Sequence, residues 1–168
     1  AVSAGFGSAG ERGMAISALV TGGDTGDRFI AAVKERLPKV KVGPGTEPDN
    51  EMGPLITREH RDKVASYLDS GKEQGAEVVA DGRETAPDGD GFFLGVSLLD
   101  KVTPEMDAYK DEIFGPVLSV VRTGTYDEAI KLNPNNANAL FGRGVDHIQS
   151  GQFDQAIQDY DRVIDLEP

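Results

Sequence analysis

The chain contains no cysteine among its 168 residues. Without a thiol it has no disulfide, no thiolate metal ligand and no cysteine nucleophile. Histidine is nearly absent too, and neither His60 nor His147 has a second ligand-type residue at the i+4 position. The sequence therefore predicts no metal site.

Positive charge is also scarce, because 17 Lys and Arg stand against 29 Asp and Glu, a net charge of −12. This charge repels phosphate backbones and anionic lipid, so we expect neither nucleic acid nor a membrane as a partner. No apolar run approaches the roughly 20 residues of a membrane span, and no charged start followed by an apolar core marks a signal peptide. We therefore expect a cytoplasmic protein.

Glycines near the N-terminus, in the pattern Gly5-x-Gly7-x-x-Gly10, have the spacing of a dinucleotide-binding loop. That loop follows a strand and begins a helix, and an acid about 20 residues later binds a ribose. Only four residues precede Gly5, and the acids near the expected distance, Asp24 and Asp27, lie in a turn that leads into a helix. We do not assign a nucleotide site to these glycines.

Strand and helix patterns alternate over the first three-quarters of the chain. Short apolar runs predict four strands, at residues 16–20, 77–80, 91–102 and 115–122. Two amphipathic helices are predicted. The apolar positions of the first, before Pro38, are Phe29, Ile30, Val33 and Leu37, and those of the second, after Thr57, are Val64, Leu68 and Tyr67. Residues 41–56 are rich in Gly and Pro and predict an extended loop. The alternation predicts an α/β layer around a largely parallel sheet.

An internal repeat replaces this alternation after residue 125. The segment 126–134, YDEAIKLNP, recurs as residues 160–168, YDRVIDLEP, with an offset of 34 residues at every position. A period of about 34 residues is typical of helix-turn-helix solenoid units. Two helices are predicted, Ala137–Gln149 and Phe153–Leu166, with Gly151 between them.

These helices resemble a tetratricopeptide repeat. Six residues match its pattern of large, small and proline positions: Leu140, Gly144, Phe153, Ala156, Tyr160 and Pro168. We expect Gly144 and Ala156 to let the two helices approach while the large side chains fill the space around them. Arg143 and His147 depart from the usual Leu and Tyr of the pattern, and acidic side chains on the last helix are interpreted as a solvated face. A single unit cannot bury its apolar stripe alone, so the resemblance implies protein interaction or self-association through residues 125–168.

Three other stretches, within residues 1 to about 132, resemble aldehyde dehydrogenases, closest to the (methyl)malonate semialdehyde dehydrogenases. They are GSAGERGMAIS at 7–17, KVGPGTEPDNEMGPLITREHRDKV at 41–64 and YKDEIFGPVLSVVR at 109–122. In that family the first stretch presents a cysteine nucleophile, and the third forms the loop and strand beside the nicotinamide. The resemblance implies a partial catalytic domain at residues 1–124, with NAD as the cofactor and a small carboxylated aldehyde as the substrate.

Gly13 occupies the position that the resemblance assigns to the cysteine. A glycine cannot form a thiohemiacetal, and no other thiol substitutes for it, so we expect no covalent aldehyde oxidation. The hydroxyls of Ser8 and Ser17 have no evident base nearby and are interpreted as structural. Arg12 either faces a substrate carboxylate or makes ordinary loop contacts, and the sequence leaves both interpretations open.

Two residues in EIFGP carry the resemblance to a cofactor site. Glu112 corresponds to the family's hydrogen-bond partner of the nicotinamide ribose, and Phe114 to the side chain beside the ring. The alternative is a strand-entry turn in which Phe114 fills the core, and we favour it. The family's dinucleotide-binding domain, general-base glutamate and oxyanion asparagine belong to upstream segments, so we expect no NAD binding by this chain alone.

The junction TYDEAIKL, residues 125–132, fits both the dehydrogenase helix after SVVR and the second helix of a repeat. We hypothesise that the chain is a composite, natural or engineered. The sequence predicts a catalytically silent scaffold joined to a repeat hairpin that mediates interaction. The alternative is an NAD-dependent (methyl)malonate semialdehyde dehydrogenase, active only within a larger protein that has its nucleophile restored.

Overall fold

The structure of the chain, a computed structural model, describes residues 2–167. It divides into two compact units. The sheet unit comprises the chain up to Leu19 together with Thr25–Arg122, and the helical unit comprises Val20–Asp24 together with the chain from Thr123 onward.

Helices and strands alternate as predicted before the chain becomes entirely helical. The first part contains α1 Val2–Phe6, β1 Ala18–Gly22, α2 Thr25–Arg36, α3 Arg58–Glu73, β2 Glu77–Ala80, β3 Ser97–Asp100, α4 Asp107–Lys110 and β4 Val117–Thr123. The second part contains α5 Tyr126–Leu132, α6 Ala137–Gln149 and α7 Phe153–Leu166. Short 3₁₀ segments at Gly7–Gly10 and Leu37–Lys39 follow α1 and α2.

The four strands form one sheet in the order β1-β4-β3-β2. Strands β3 and β4 are parallel, with Leu98 opposite Leu118, whereas β2 runs antiparallel to β3. The Ser119 N–H donates to the Ser17 carbonyl and the Gly23 N–H to the Thr123 carbonyl, so β1 and β4 also advance in the same direction. The prediction of an α/β fold with a largely parallel sheet is confirmed.

Helix α2 carries the predicted apolar stripe into a core beside the central strands. Ile30 and Val33 are buried, and Leu37 continues the stripe just beyond the helix. The same core contains further buried side chains from α1, from the residue before β3, and from β3 and β4, including Phe6, Val96, Leu98, Leu118 and Val120. Burial of each large aliphatic side chain contributes about 1.5–3 kcal/mol, so this cluster positions α1 and the loop after it.

Helix α3 begins after Thr57, whose Oγ1 accepts the His60 N–H at 3.1 Å as an N-cap. Val64 and Leu68 are fully buried on one face, as predicted. A Cβ at Gly71 would lie 3.1 Å from Leu99, so glycine at this position lets the helix approach β3 closely. Helix α3 therefore has a fixed position from which it supports the neighbouring loops.

A charge network with one buried member, Asp100, links α2, β3 and β4 in the sheet unit. The Arg122 guanidinium donates to both carboxylate oxygens of Asp100, at 2.8 and 2.6 Å, and to Asp27 at 2.6 Å. The Asp100 side chain is only 4% exposed. Burial by itself would raise the pKa of Asp100, but the hydrogen bonds from Arg122 and the Lys101 N–H outweigh it and hold the pKa below the usual 3.8. A Cβ at Gly26 would collide with the Arg122 side chain.

In the helical unit, α6 and α7 have the predicted bounds, and small residues lie where the helices meet. Ala156 is 2% exposed, and a Cβ at Gly144 would lie 2.6 Å from the Tyr160 ring. The expectation for Phe153 is wrong, because this side chain is 63% exposed and does not fill space between the helices. It lies at the first turn of α7. Pro168, the last position of the repeat pattern, lies outside the described residues.

The residues that depart from the repeat pattern lie in one ion network. Arg143 of α6 donates to both oxygens of Asp159 on α7, at 2.9 and 2.6 Å, and to Asp127 on α5 at 2.6 Å. His147 Nε2 lies 3.7 Å from the same Asp159 carboxylate. The Asp159 side chain is 6% exposed, so the interhelical position contains a buried ion pair in place of an apolar contact.

Candidate functional site

Two loops of the sheet unit meet at the candidate site: the first loop, residues 7–14, and the second loop, residues 111–116. They touch through their backbones, because a Cβ at Gly10 would overlap the Gly115 carbonyl. Gly10 also has a φ of +73°, in the left-handed region that favours glycine. Close backbone approach, rather than phosphate binding, explains this glycine. Gly5 lies within α1, so the Gly5-x-Gly7-x-x-Gly10 pattern does not follow a strand.

A shallow depression lies between the two loops and brings together three of the four predicted site residues. Arg12, Glu112 and Phe114 line it with Ser17 and adjacent glycine backbone. The depression leaves about 30 Å³ for solvent, enough for a few water molecules. Glu112 is exposed. Phe114 is 37% exposed, so the interpretation of this side chain as filling the core is wrong.

Gly13 is exposed, and it is not among the residues that line this depression. Apart from Gly13 itself and the two adjacent residues, no described residue has an atom within 4 Å of a Cβ built at this position. Its φ also lies outside the left-handed region, so neither packing nor backbone geometry requires glycine here. A cysteine would be tolerated, and its absence therefore has no steric cause.

Three residues other than glycine have a backbone conformation in the left-handed region at this site. The φ angles are +52° at Ser8, +55° at Ala9 and +55° at Phe114. Each such conformation costs about 1–2 kcal/mol and persists only where the surroundings hold it. The shape of both loops therefore depends on the elements that support them.

Helix α3 supports the second loop with side chains at i, i+4 and i+7 on one face. His60 Nε2 lies 2.8 Å from the Phe114 carbonyl oxygen, and because a carbonyl only accepts, this nitrogen bears the proton and donates. Val64 packs against Gly115, where a Cβ would collide with it. These contacts hold Phe114 in its left-handed conformation.

Tyr67, one turn further along α3, anchors the start of the second loop. Its hydroxyl donates to Asp111 Oδ2 at 2.8 Å, next to Glu112. Burial, together with this hydrogen bond and the Asp111 charge, raises the pKa of Tyr67 to about 12. The phenol therefore stays protonated and remains a donor throughout the neutral range.

Glu11 connects the first loop to the same helix. Its Oε1 lies 3.4 Å from His60 Nε2 and accepts the Ile56 N–H at 3.4 Å. His60 thus contacts both loops, a role that the sequence analysis missed. The available signal was that His60 and Tyr67 share the helical face of the predicted core residue Val64.

The polar side chains of the first loop contact one another. Arg12 Nε donates to Ser8 Oγ at 3.2 Å, and its guanidinium lies against Gly7. This geometry supports the interpretation of Arg12 as a loop contact. The partner of Ser8 is a cation rather than a base, so nothing here activates its hydroxyl as a nucleophile. Among residues 2–167 no group of three or more acidic or histidine side chains is arranged to bind a metal.

Two described residues lie where the resemblance places the nicotinamide end of NAD. They are Glu112 and Phe114, and both side chains are exposed. In the Gly5-x-Gly7-x-x-Gly10 pattern, Gly5 belongs to α1 and Gly10 contacts the Gly115 backbone.

Gly10 and Gly13, two of the three glycines of the first loop, give a matched pair of substitutions. We expect Gly10→Ala to lower the free energy of unfolding by about 2 kcal/mol or more, because it adds left-handed strain and a collision with the Gly115 carbonyl. Gly13→Ala should change it by less than about 0.5 kcal/mol. Urea unfolding followed by circular dichroism measures both. Equal effects of the two substitutions would contradict the described packing of the loops.

Comparison with known protein families identifies the family of the chain. The sequence profile of the aldehyde dehydrogenase family matches residues 1–144, and the chain belongs to that family. The profile of the tetratricopeptide repeat matches residues 137–168. Both resemblances proposed from the sequence are confirmed.

Within the family, the chain is similar to malonate-semialdehyde dehydrogenases. It is 52% identical over 132 residues to the malonate-semialdehyde dehydrogenase of Pseudomonas aeruginosa, covering 77% of this chain and 27% of that protein. It is 46% identical over 132 residues to malonate-semialdehyde dehydrogenase 3 of Bacillus cereus, covering 78% of this chain and 27% of that protein. The chain thus spans about a quarter of the length of these relatives.

Solved structures agree with this assignment. The methylmalonate-semialdehyde dehydrogenase of Oceanimonas doudoroffii superposes with a TM-score of 0.75 at 48% identity, covering 78% of this chain and 28% of that one. Betaine aldehyde dehydrogenase of Staphylococcus aureus, solved in complex with NAD⁺, gives a TM-score of 0.72 at 35% identity, covering 78% of this chain and 26% of that one. Within residues 2–167 no helix has the length and hydropathy to cross a membrane.

Proposed function

We propose that this chain is a catalytically silent member of the aldehyde dehydrogenase family that serves as a scaffold for a protein-interaction hairpin. The observation that carries the proposal is Gly13, which stands in the nucleophile loop where the family's cysteine is expected, in a chain without any thiol. The serine in this loop whose hydroxyl contacts are described, Ser8, pairs with Arg12 rather than with a base. The first loop thus keeps a defined shape but has no group that attacks an aldehyde.

The cofactor side of the site supports the same conclusion. Glu112 and Phe114 are exposed in positions suited to the nicotinamide end of NAD, which would accept a hydride when bound. We propose that this chain alone does not hold the remainder of the cofactor. We infer that residues 111–116 are retained because they pack against α3 and the first loop.

The helical unit supplies the second half of the proposed function. It matches the tetratricopeptide repeat and exposes large apolar side chains on α6 and α7. Exposed apolar surface of this kind is typical of sites that contact other proteins. We propose that this surface, rather than the depression between the loops, is where the chain interacts.

Restoring the missing thiol tests whether Gly13 alone keeps the site silent. We expect Gly13→Cys to fold normally and its thiol to react with Ellman's reagent at the rate of an exposed cysteine of ordinary pKa. We expect no NADH from this variant with NAD, coenzyme A and malonate semialdehyde. Ser17→Cys, also exposed and nearby, is the matched control.

NADH formation by Gly13→Cys but not by Ser17→Cys would favour the alternative function. The chain would then be a malonate-semialdehyde dehydrogenase-type enzyme that lacks only its nucleophile. A Gly13→Cys thiol far more reactive than the Ser17→Cys thiol would point the same way, because an activated thiolate requires a cationic or helix-dipole environment.

A further inference from the structure

Three Asp–Gly sequences lie in residues 81–96, the loop between β2 and β3. They are Asp81–Gly82, Asp88–Gly89 and Asp90–Gly91. In such a sequence the glycine nitrogen attacks the carboxyl carbon of the aspartate side chain, water leaves, and a succinimide ring forms. Glycine favours this step because it has no Cβ to hinder its nitrogen and leaves the backbone free to bend. Each sequence thus has the chemistry for aspartate isomerisation, and local structure decides which of them reacts.

Asp81–Gly82 is held in a geometry that prevents this attack. The Gly82 N–H donates to the buried Ser97 Oγ at 2.9 Å, so the nitrogen is engaged with β3. The Asp81 carboxylate accepts the Arg83 N–H at 2.9 Å and the Arg83 side chain at 2.6 Å. Hydrogen bonds from the Arg83 side chain hold the pKa of Asp81 below its ordinary value, and the ionised carboxylate is the less electrophilic form. Reaction at Asp81 therefore requires local opening of the loop.

Asp88–Gly89 has none of these restraints. Both residues are exposed. Apart from Gly89 itself and the two adjacent residues, no described residue has an atom within 4 Å of a Cβ built on Gly89, so the backbone has room to move. Within residues 2–167, no hydrogen bond or ion pair engages the Asp88 carboxylate or the Gly89 N–H. The nitrogen and the carboxyl group are therefore free to meet.

Asp90–Gly91 is intermediate between these two cases. A Cβ at Gly91 would collide with the Phe93 ring, so this glycine is half-buried beside an aromatic side chain. The Phe92 carbonyl accepts the Leu55 N–H at 3.0 Å and anchors the chain directly after Gly91. Movement of the Gly91 nitrogen toward the Asp90 carboxyl is therefore more restricted than the same movement in the preceding Asp–Gly sequence.

We propose that Asp88–Gly89 is a site of spontaneous isomerisation to isoaspartate, and that the modified chain is a substrate for a carboxyl methyltransferase that recognises isoaspartate. The Gly89 nitrogen bonds to the side-chain carboxyl carbon of Asp88, and its proton leaves with the carboxyl hydroxyl as water. Hydrolysis then opens the succinimide at the original backbone carbonyl and returns the water, so neither mass nor oxidation state changes. The α-carboxylate released in this way takes the methyl group of S-adenosylmethionine, whose carbon–sulfur bond breaks. This modification is independent of the proposed catalytic silence and interaction role.

Peptide mapping of the aged full chain tests the proposal. The chain is kept near neutral pH, and trypsin then cleaves after Arg83, which puts Asp81 in residues 73–83 and Asp88 in residues 84–101. Isoaspartyl peptides separate from their parent peptides by chromatography at unchanged mass, and electron-transfer fragmentation identifies the modified residue. We expect isoaspartate at Asp88 to accumulate at least about tenfold faster than at Asp81, and faster than at Asp90.

Methylation by an isoaspartate-specific methyltransferase gives a second readout. Methyl incorporation from labelled S-adenosylmethionine should rise in parallel with isoaspartate at Asp88. Asp88→Glu keeps the charge but requires a larger ring that forms more slowly, so it should remove most of this incorporation. Asp90→Glu, the same change in the next Asp–Gly sequence, should leave most of it. Both aspartates are exposed, so both variants should keep the circular dichroism spectrum of the original chain.

Unfolding the chain in urea separates the effect of structure from that of local sequence. Without the hydrogen bond from Gly82 to Ser97, Asp81 should form isoaspartate within about threefold of the rate at Asp88. Selectivity that persists in urea, or equal rates at Asp81 and Asp88 in the folded chain, would contradict protection by the fold. Isoaspartate formed mainly at Asp90, or an aged folded chain that accepts no methyl groups, would overturn the proposed site.

Discussion

Replacing Arg122 by alanine is expected to lower the free energy of unfolding of the sheet unit by about 3–5 kcal/mol. The substitution leaves the Asp100 carboxylate, only 4% exposed, buried without its bidentate partner. It also removes the link between β3, β4 and Asp27 on α2. Urea unfolding measures the loss, and hydrogen exchange should locate it in β3 and β4 rather than in α6 and α7.

Arg36→Ala is the matched control for this substitution. Arg36 also pairs with a carboxylate, Glu51, but the two side chains are 39% and 47% exposed. An exposed ion pair contributes about 0–1 kcal/mol, so the free energy of unfolding of this variant should lie within about 1 kcal/mol of that of the original chain. Equal losses for Arg36→Ala and Arg122→Ala would show that burial of Asp100 does not decide the effect.

The Arg122 effect should also depend on pH. The pKa of Asp100 is lowered in the folded chain, so the contribution of its charged form is fully present above the usual value of 3.8 and is lost as the pH falls through the folded value. In Arg122→Ala, burial without the arginine raises the pKa of Asp100, and the variant recovers when this carboxyl becomes protonated. The difference in stability between the two proteins should therefore be constant near neutral pH, begin to shrink above 3.8 as Asp100 of the variant is protonated, and continue to shrink below 3.8.

Replacing Arg143 by alanine is expected to destabilise the helical unit by about 3 kcal/mol or more. Asp159 is 6% exposed and would lose two hydrogen bonds, with only His147 at 3.7 Å to compensate. Contact with Asp127 of α5 would be lost as well. Hydrogen exchange should show reduced protection of α6 and α7 amides, while β3 and β4 keep theirs.

Two further variants show whether the Arg143 effect comes from an unpaired buried charge. Arg143→Leu combined with Asp159→Leu should recover most of the lost stability, because an apolar pair removes the uncompensated carboxylate. Arg162→Ala, which loses an exposed hydrogen bond to Asn135, is the control and should change stability by less than about 0.5 kcal/mol. A double variant as unstable as Arg143→Ala would contradict this explanation.

The helical unit shows how much of the fold local sequence determines. The bounds of α6 and α7 agree with prediction because Gly151, with a φ of +73°, ends one helix, and the 34-residue repeat sets the register of the other. The exposure of the Phe153 side chain could not be predicted from the repeat pattern. Its pattern position indicates a packed aromatic, but its burial depends on which helix lies beside α7.

The sheet shows where sequence patterns mislead. The predicted strand at 91–102 is a strand only over Ser97–Asp100. Leu94 and Val96 are buried, so hydropathy predicts their burial correctly. The chain before β3 nevertheless forms a loop, in which the Gly95 backbone contacts the Gly82 backbone. Strand β2 is antiparallel because residues 81–96 contain no crossover helix. Helix α4 has four residues, too few for a periodic signal.

The candidate site was predictable only in part. The order of the motifs indicated the two loops, and the structure brings Arg12, Glu112 and Phe114 to one depression. Support by His60 and Tyr67 of α3 was not predictable, because it depends on tertiary contacts with residues 44 to 54 positions away. Sequence spacing reports which residues share a helical face but not which loop they reach.

The proposed silence of the site is tested most directly by NADH formation from malonate semialdehyde, with NAD and coenzyme A in excess. The proposal predicts that the full chain forms no more NADH than the buffer does, at every protein concentration, because Gly13 provides no nucleophile. NADH formation that rises in proportion to the concentration of the purified chain, and persists after treatment with a thiol-blocking reagent, would contradict it.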